Sequence, residues 1–521
     1  MTAHAEVLVR SLPVQPDPLA LYAALSANGT RTDTLLLESG DTTARHGERS
    51  LIVAGAALRI ACRGREVEVR ALSSNGAALL PWLAESLTGI ASEVAADGAD
   101  GLVARFQPPP GGEDEARLKA PSPMDVLRAL TRYLPVSGPE GYGPIIAGVF
   151  GYDLIGVFER LPESASDPLG WPDFEMVLAD RMVWVHHRHA RATVVAVAFG
   201  AGETARAAAA VAELSDEVAR RPARARPVRT GRPAPEATAR AEGASVRADL
   251  CDAEYAALVE RLKGHIVAGD VFQIVPSRTF SLPCPAPLAA YGALRDLNPS
   301  PYMFYLAASS GVLFGASPET AVRVGSDRRV EIRPIAGTRR RGPDPDTDGR
   351  IEAELRTHPK EVAEHMMLVD LARNDVARVC VPGTRRLDSL LAVERYSHVM
   401  HLVSTVSGEL RPDLDALAAL VASLPMGTLT GAPKIEAARL LRVHERTRRG
   451  PYGGAVGYLA ADGRMDTGIV IRSAVVRDGT AGVRAGAGVV FDSDPEAEAD
   501  ETRRKANAVL AAIAEAGGGT P

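Results

Sequence analysis

The sequence predicts an α+β protein of large, mostly antiparallel sheets flanked by helices. Three observations predict it. Short strand-like runs bounded by turn residues recur both early and late in the 521-residue chain. Long helical patterns stand apart from one another instead of following each strand. No regular β-α-β period and no internal repeat is present, which argues against a parallel, doubly wound sheet.

Taken in order, "TLLLES", "SLIVAG", "ALRIACRG" and "EVEVRAL" read as strands, "MDVLRALTRYL" as a helix, and "MVWVHHRHARATVVAVAF" as two strands around a basic turn. That turn places His186, His187 and His189 at the surface. From about Ser215 to Ala248 the chain turns to Arg, Ala, Pro and Gly, a composition that buries too little apolar surface to offset its ordering entropy. This defines an amino-terminal domain at 1–215, a linker or crossing segment at 216–248 and a second domain at 249–521. In the second domain "DAEYAALVERLKGHIVAGD", "HPKEVAEHMMLVDLARNDVARV" and "EADETRRKANAVLAAIAEA" carry apolar residues at helical spacing. "VFQIVPSRTFSL", "YMFYLAA", "VLFGASPET" and "RVEIRPIAGTR" read as strands.

Composition excludes several classes. The 59 basic and 65 acidic residues give a net charge of −6, without the basic excess of a nucleic-acid binder. Hydrophobic residues make up 46% and charged residues 24%, as in an ordinary soluble globular protein. Cys62, Cys251, Cys284 and Cys380 are scattered and form neither a C-x-x-C pair nor a zinc spacing, which points to reduced thiols. The opening residues resemble no signal peptide and no apolar run is long enough to span a membrane, so a cytoplasmic protein is expected.

Two helices repeat one feature. Glu361 and Glu364 are three residues apart and share a helix face, and so do Glu498 and Glu501, with Lys505 one turn further on. Two such faces across a cleft would offer oxygen ligands to a hard cation such as Mg²⁺. The spacing by itself also describes solvated helix faces. Gly486, Ala487 and Gly488 could bring backbone N–H groups up to an anion. "PMGTLTGAPK" reads as a loop into a helix N-terminus, without the order of a P-loop. Arg472 ends an apolar strand, where a buried guanidinium needs an anionic partner from the protein or from a ligand. His398 and His401 lie among apolar residues, as satisfied core groups or as a base of tuned pKa.

In sequence, "VFQIVPSR", "PSPYMFY", "GASPE", "PIAGTRRRG", "EHMMLVDLARNDVARVC", "YSHVMHLVS", "MGTLTGAPK", "YGGAVGY", "DTGIVIRSA" and "GAGVVFDSDPEAEADETRRKA" resemble the chorismate-binding enzymes. Within them they resemble the large subunits (component I) of anthranilate synthases, and "LLLESGD" to "ALSSNG" extends the likeness to the amino-terminal region. The resemblance implies a layered chorismate-utilising fold with its active site in a cleft. It implies Mg²⁺ as cofactor, held by Glu364 and Glu501 with Glu361 and Glu498 in support. Tyr452, Arg472, the backbone of Gly486, Ala487 and Gly488, Lys505 and Thr428 would contact substrate. Glu319 would protonate the departing C4 hydroxyl, and His401 would serve the elimination.

The implied reaction converts chorismate and ammonia to anthranilate and pyruvate, the first step of tryptophan biosynthesis. Relatives that use water carry a lysine base where this chain has Gln273, and those that form aminodeoxychorismate use a nucleophilic lysine where it has Ala336. An enzyme stopping at aminodeoxyisochorismate or making aminodeoxychorismate stays as the alternative, and a non-catalytic tryptophan-sensing subunit as a third reading. No cysteine sits in a glutaminase elbow, so the resemblance implies a separate glutamine amidotransferase subunit (component II) as ammonia source, in a heterotetramer of two large and two small subunits. Glu38, Ser39, Ser50, Pro301, Tyr302, Met303 and Phe304 match a tryptophan-binding region, which implies feedback inhibition. Neither nucleic acid nor membrane is expected as a partner.

Overall fold

The computed structural model describes residues 3–40, 49–109, 114–164, 166–200, 202–221, 246–395 and 399–517. Its strands form two extended ladders, antiparallel throughout except where Ala5 and Glu6 run parallel to Val136 and Ser137. The ladders are joined through two long neighbouring strands, Arg49–Arg63 and Phe174–His186. Register shifts on both sides of Gly55 bend this pair, so that its two halves enter different layers.

In one layer the halves beginning at Arg49 and ending at His186 continue through Thr34–Glu38, Tyr302–Ala308, Gly311–Ser317, Ser473–Arg477, Thr480–Gly486 and Ser277–Pro283. In the other the opposite halves continue through Ile145–Phe150, Ala455–Ala460, Met465–Ile469, Thr320–Val324, Arg329–Ile332 and Val399–Glu409. Early and late parts of the chain are therefore neighbours in both ladders. Thr34–Glu38 pairs with Tyr302–Ala308, and Ile145–Phe150 with Ala455–Ala460.

Strand alternation sorts the cores. Leu35, Leu51, Val53, Phe304, Leu306 and Leu313 point between the layers, where they meet Ile146, Val149, Val456 and Leu459. Their neighbours Leu36, Ile52, Val183, Met303, Tyr305 and Phe314 point outward and are covered by helices Pro18–Leu25, Pro287–Leu297 and Pro495–Gly517. Each of these helices begins at a proline, whose fixed φ and missing N–H suit the first turn.

Three sequence expectations change. Residues 216–220 belong to helix Thr204–Arg220, and Arg247 and Ala248 pair with Ser281 and Phe280, so the segment between them is shorter than composition indicated; 222–245 lie outside the described residues. The run "RVEIRPIAGTR" is two strands, Arg329–Ile332 and Ile335–Arg340, interrupted at Pro334, which has no N–H for a ladder. His186 is buried on its strand against Thr193, whereas His187 opens the turn half-buried, hydrogen-bonded to Ser50 and Gln15, and His189 is exposed in it.

Candidate active site

The residues named for chemistry converge at the edges of the two ladders. Gln273 begins a two-residue strand paired with Gly431–Ala432. Glu319 follows strand Gly311–Ser317, and His401 lies on strand Val399–Glu409. Glu361 and Glu364 sit on helix Pro359–Val379, and Glu498, Glu501 and Lys505 on helix Pro495–Gly517. Arg472 stands between two strands at φ 50, a left-handed turn that breaks the ladder and frees its side chain from strand alternation. His398 lies outside the described residues.

Four glutamates share one field. Burial, then Glu361 and Glu501, raise the carboxyl of Glu364 above its ordinary value. Burial and Glu501 likewise raise Glu498, against a hydrogen bond from Ser493. Burial also acts to raise Glu501, but Lys505, Arg504 and Arg472 outweigh it and hold this carboxyl low. Lys505 Nζ lies 2.7 Å from Glu501 Oε1 and donates to the Gly486 carbonyl at 3.1 Å. Glu361 is turned to Arg339, 2.8 Å from its Nη1. The donor set is carboxylate oxygen alone, and its raised members gain from a hard divalent cation. Among the described residues no group of three or more His, Cys, Asp or Glu side chains is placed to hold a metal ion.

Around this field lie cations and protonatable groups. Arg472 is half-buried beside Tyr452 and Glu501, and desolvation lowers its pKa. It forms no ion pair with any described residue, which leaves a guanidinium open to an anion. Burial pushes Glu319 up to about 8, opposed by the Thr428 hydroxyl and Lys505. His401, 8% exposed, is lowered to about 4 by burial and Arg472, and its Nδ1 lies 3.0 Å from Thr338 Oγ1. Gln273 is buried, and its Oε1 has no hydrogen-bond partner among the described residues. A Cβ at Gly488 would lie 2.8 Å from Gln273 Nε2 and 3.9 Å from Glu364 Oε1, so this turn packs directly against the site.

Several residues depart from their sequence roles. The Ala487 N–H is not open to a ligand, because it already reaches Pro276 O at 3.2 Å and the Tyr255 hydroxyl at 3.3 Å. "PMGTLTGAPK" leads, as expected, into a helix N-terminus at Lys434–Glu445, and its Lys434 side chain is buried and paired with Asp375 at 2.6 Å.

A support that sequence reasoning missed centres on Glu445. This buried carboxylate accepts from Ser277, Arg449 and Arg484, and Arg449 stacks over Tyr152 at 4.5 Å and Tyr452 at 5.8 Å. Its one local signal is the i, i+4 pair of Glu445 and Arg449.

A cavity of about 460 Å³ lies between the early and late strands, lined among others by Glu38, Ser39, Pro301, Tyr302, Met303 and Phe304. Ser50 is not in it. Strand alternation turns Ser50 to the helix side, where it meets His187 at 2.8 Å, while its neighbours Arg49 and Leu51 line the cavity. The Glu38 carboxylate also turns to the helix side, accepting from Tyr291 at 2.6 Å and pairing with Arg295 at 2.8 Å.

A family model described as chorismate binding enzyme matches residues 92–511. An anthranilate synthase component 1 of Vibrio cholerae is 48% identical over 98% of this chain and 97% of its own. The chain belongs to the chorismate-binding enzymes, in the family of anthranilate synthase component 1. The crystal structure of anthranilate synthase component I from Streptococcus pneumoniae superposes with a TM-score of 0.69 at 28% identity, over 89% of this chain and 92% of that one. The menaquinone-specific isochorismate synthase of Escherichia coli shares the fold, with a TM-score of 0.64 at 18% identity over 98% of this chain and 95% of that one. Among the described residues no helix is long and apolar enough to cross a membrane.

Proposed function

We propose that the chain is the large subunit of an anthranilate synthase, which joins chorismate and ammonia and releases anthranilate and pyruvate. The observation that carries this reading is the half-buried Arg472, which forms no ion pair among the described residues, beside a carboxylate field on the opposite helices. Chorismate is a dianion. One carboxylate fits Arg472 with the Tyr452 hydroxyl beside it. The other would meet Glu364 and Glu501, where Mg²⁺, when bound, supplies the charge that lets carboxylate approach carboxylate.

In the first step ammonia adds at C2 as the C4 hydroxyl leaves, giving aminodeoxyisochorismate and water. Glu319 is the proton donor to the leaving oxygen: with a pKa of about 8 it still holds its proton at neutral pH. Thr428 lies beside that carboxyl. The open Gln273 Oε1 accepts an N–H of ammonia and orients it, whereas an amide has no basicity to activate water. In the second step neutral His401 takes the C2 proton and pyruvate departs from the aromatising ring. Ala336 lies on strand Ile335–Arg340 where a covalent route would need an amine nucleophile.

Three further parts belong to this reading. Ammonia comes from a separate glutamine amidotransferase subunit, in an assembly of two large and two small subunits. Cys62, Cys284 and Cys380 are buried with raised pKa values and unsuited to glutaminase chemistry. Tryptophan binds in the 460 Å³ cavity and inhibits. The product feeds tryptophan synthesis. Incubating the chain with chorismate, Mg²⁺ and ¹⁵N-ammonium tests the chemistry. Labelled anthranilate and pyruvate formed in equal amounts support it, and a labelled aminated product that retains the enolpyruvyl group overturns it.

A further inference from the structure

The register of one strand pair decides what faces His401. Strand Val399–Glu409 runs beside Ile335–Arg340, with Ala336 opposite Leu402 and Thr338 opposite His401. Gly337 is therefore an extra residue on the second strand, and it takes φ 64, in the left-handed region open to glycine. Without that bulge Gly337 would stand opposite His401, and Thr338, one place further, would project from the other face. With it, the Thr338 side chain shares a face with the imidazole, and Thr338 Oγ1 lies 3.0 Å from His401 Nδ1. The Gly337 carbonyl accepts a hydrogen bond from the same ring. Glu394, opposite His401 on the other neighbouring strand, pairs with Arg333.

We propose that Thr338 is a positioning residue for the elimination step: its hydroxyl holds Nδ1 of His401 so that Nε2 is the nitrogen that takes the C2 proton. This deepens the reading of His401 as base and rests on it. The ladder fixes the two backbones but not the ring, whose side-chain torsions are set by what its nitrogens touch. A neutral imidazole carries one proton, and the tautomer that gives Nδ1–H to the strand oxygens presents its basic lone pair at Nε2. A hydroxyl suits this task better than a carboxylate. It orients the ring without adding a negative charge that would favour the imidazolium, so His401 stays neutral and able to accept a proton. In the step itself the C2 proton passes to Nε2, and its bonding pair enters the C2–C3 bond of the aromatic ring. The C3–O bond breaks, and its pair leaves with enolpyruvate, which takes a proton at its methylene carbon to become pyruvate while His401 returns its own to solvent.

The test uses the full chain with Mg²⁺ and reads two rates: consumption of chorismate with ammonium, and release of pyruvate from aminodeoxyisochorismate supplied directly. Thr338 is exposed on its strand, so Thr338→Val exchanges hydroxyl for methyl without opening the core, and Thr338→Ser keeps the hydroxyl. Thr338→Val should slow pyruvate release by a factor about fivefold or more above the factor by which it slows chorismate consumption. Thr338→Ser should restore the parent's ratio of the two rates. A substitution that merely loosened the strand would slow both steps alike. Unchanged rates or equal slowing of both steps in Thr338→Val overturns the proposal, and so does a ratio in Thr338→Ser as low as in Thr338→Val. His401→Ala separates the underlying reading: if it releases pyruvate from aminodeoxyisochorismate at the parent's rate, His401 is not the base and the proposal falls with it.

Discussion

Lys505 and Glu501 face each other at 2.7 Å, one turn apart on the C-terminal helix, with Lys505 also bound to the Gly486 carbonyl at 3.1 Å. This single ammonium ties the carboxylate helix to the glycine turn that closes on Gln273. It also holds the Glu501 carboxyl low, while burial and repulsion from Glu361 and Glu501 raise Glu364, and burial and Glu501 raise Glu498.

Replacing Glu501 by Gln keeps the size and removes the charge. Mg²⁺-dependent turnover should fall by about 10²-fold or more, since electrostatic stabilisation by a metal contributes several kcal/mol, while the thermal unfolding curve keeps its shape. Steady-state rates across a Mg²⁺ titration check this, and wild-type rates in the variant would remove Glu501 from the metal site.

In the proposed mechanism Glu319 should set an alkaline limb of the pH profile. With its carboxyl at about 8, kcat should decline as pH rises through that value, and Glu319→Gln should abolish the limb together with most of the activity. Linkage gives the stability sign. The folded pKa lies above the unfolded one, so the stability contributed by the protonated acid is complete below about 4.5 and is lost as pH rises to about 8. Glu319→Gln should therefore raise Tm relative to the parent at pH 8.5 and change it little at pH 4.5.

In the proposed mechanism His401 serves the second step. Because burial and Arg472 lower it to about 4, it is neutral throughout the assay range and should add no inflection near pH 6.5. His401→Ala should slow release of pyruvate by about 10²-fold or more and let aminodeoxyisochorismate accumulate, which chromatography of quenched reactions detects. Equal slowing of amination and elimination would contradict this role.

Arg472 should govern chorismate recognition. Arg472→Met removes a charge-assisted contact worth about 1.5–3 kcal/mol, or about 10- to 100-fold in kcat/KM. Arg472→Lys should recover little of it, because an ammonium lacks the planar fork.

The Glu445 support predicts a structural loss. Glu445→Ala leaves Arg449 and Arg484 buried without their acid and should cost about 3–5 kcal/mol, read by chemical denaturation.

The sequence carried these parts unevenly. Glu361 with Glu364 and Glu498 with Glu501 were legible because helical spacing alone puts each pair on one face, and the strand end at Arg472 was legible from its apolar run. The motif order added Glu319 and Gln273, which no local pattern singles out, and gave a role to His401, which the apolar run had only marked. What stayed hidden depends on contacts between distant segments. Ser50 and Glu38 face the helix layer because of a strand register that only the paired strands define. The Ala487 N–H is taken by Tyr255, 232 residues away. The interleaving of early and late strands into shared ladders has no local signature, since Leu36 and Tyr305 become partners only once both ladders exist.

The most direct measurement follows anthranilate fluorescence when the purified chain meets chorismate and ammonium at mildly alkaline pH, with Mg²⁺ and then with Mg²⁺ removed by chelator. The account predicts fluorescence that grows with time in Mg²⁺, stops on chelation and returns when Mg²⁺ is restored. Chorismate consumed without fluorescence, or chorismate left untouched by the folded chain, would contradict it.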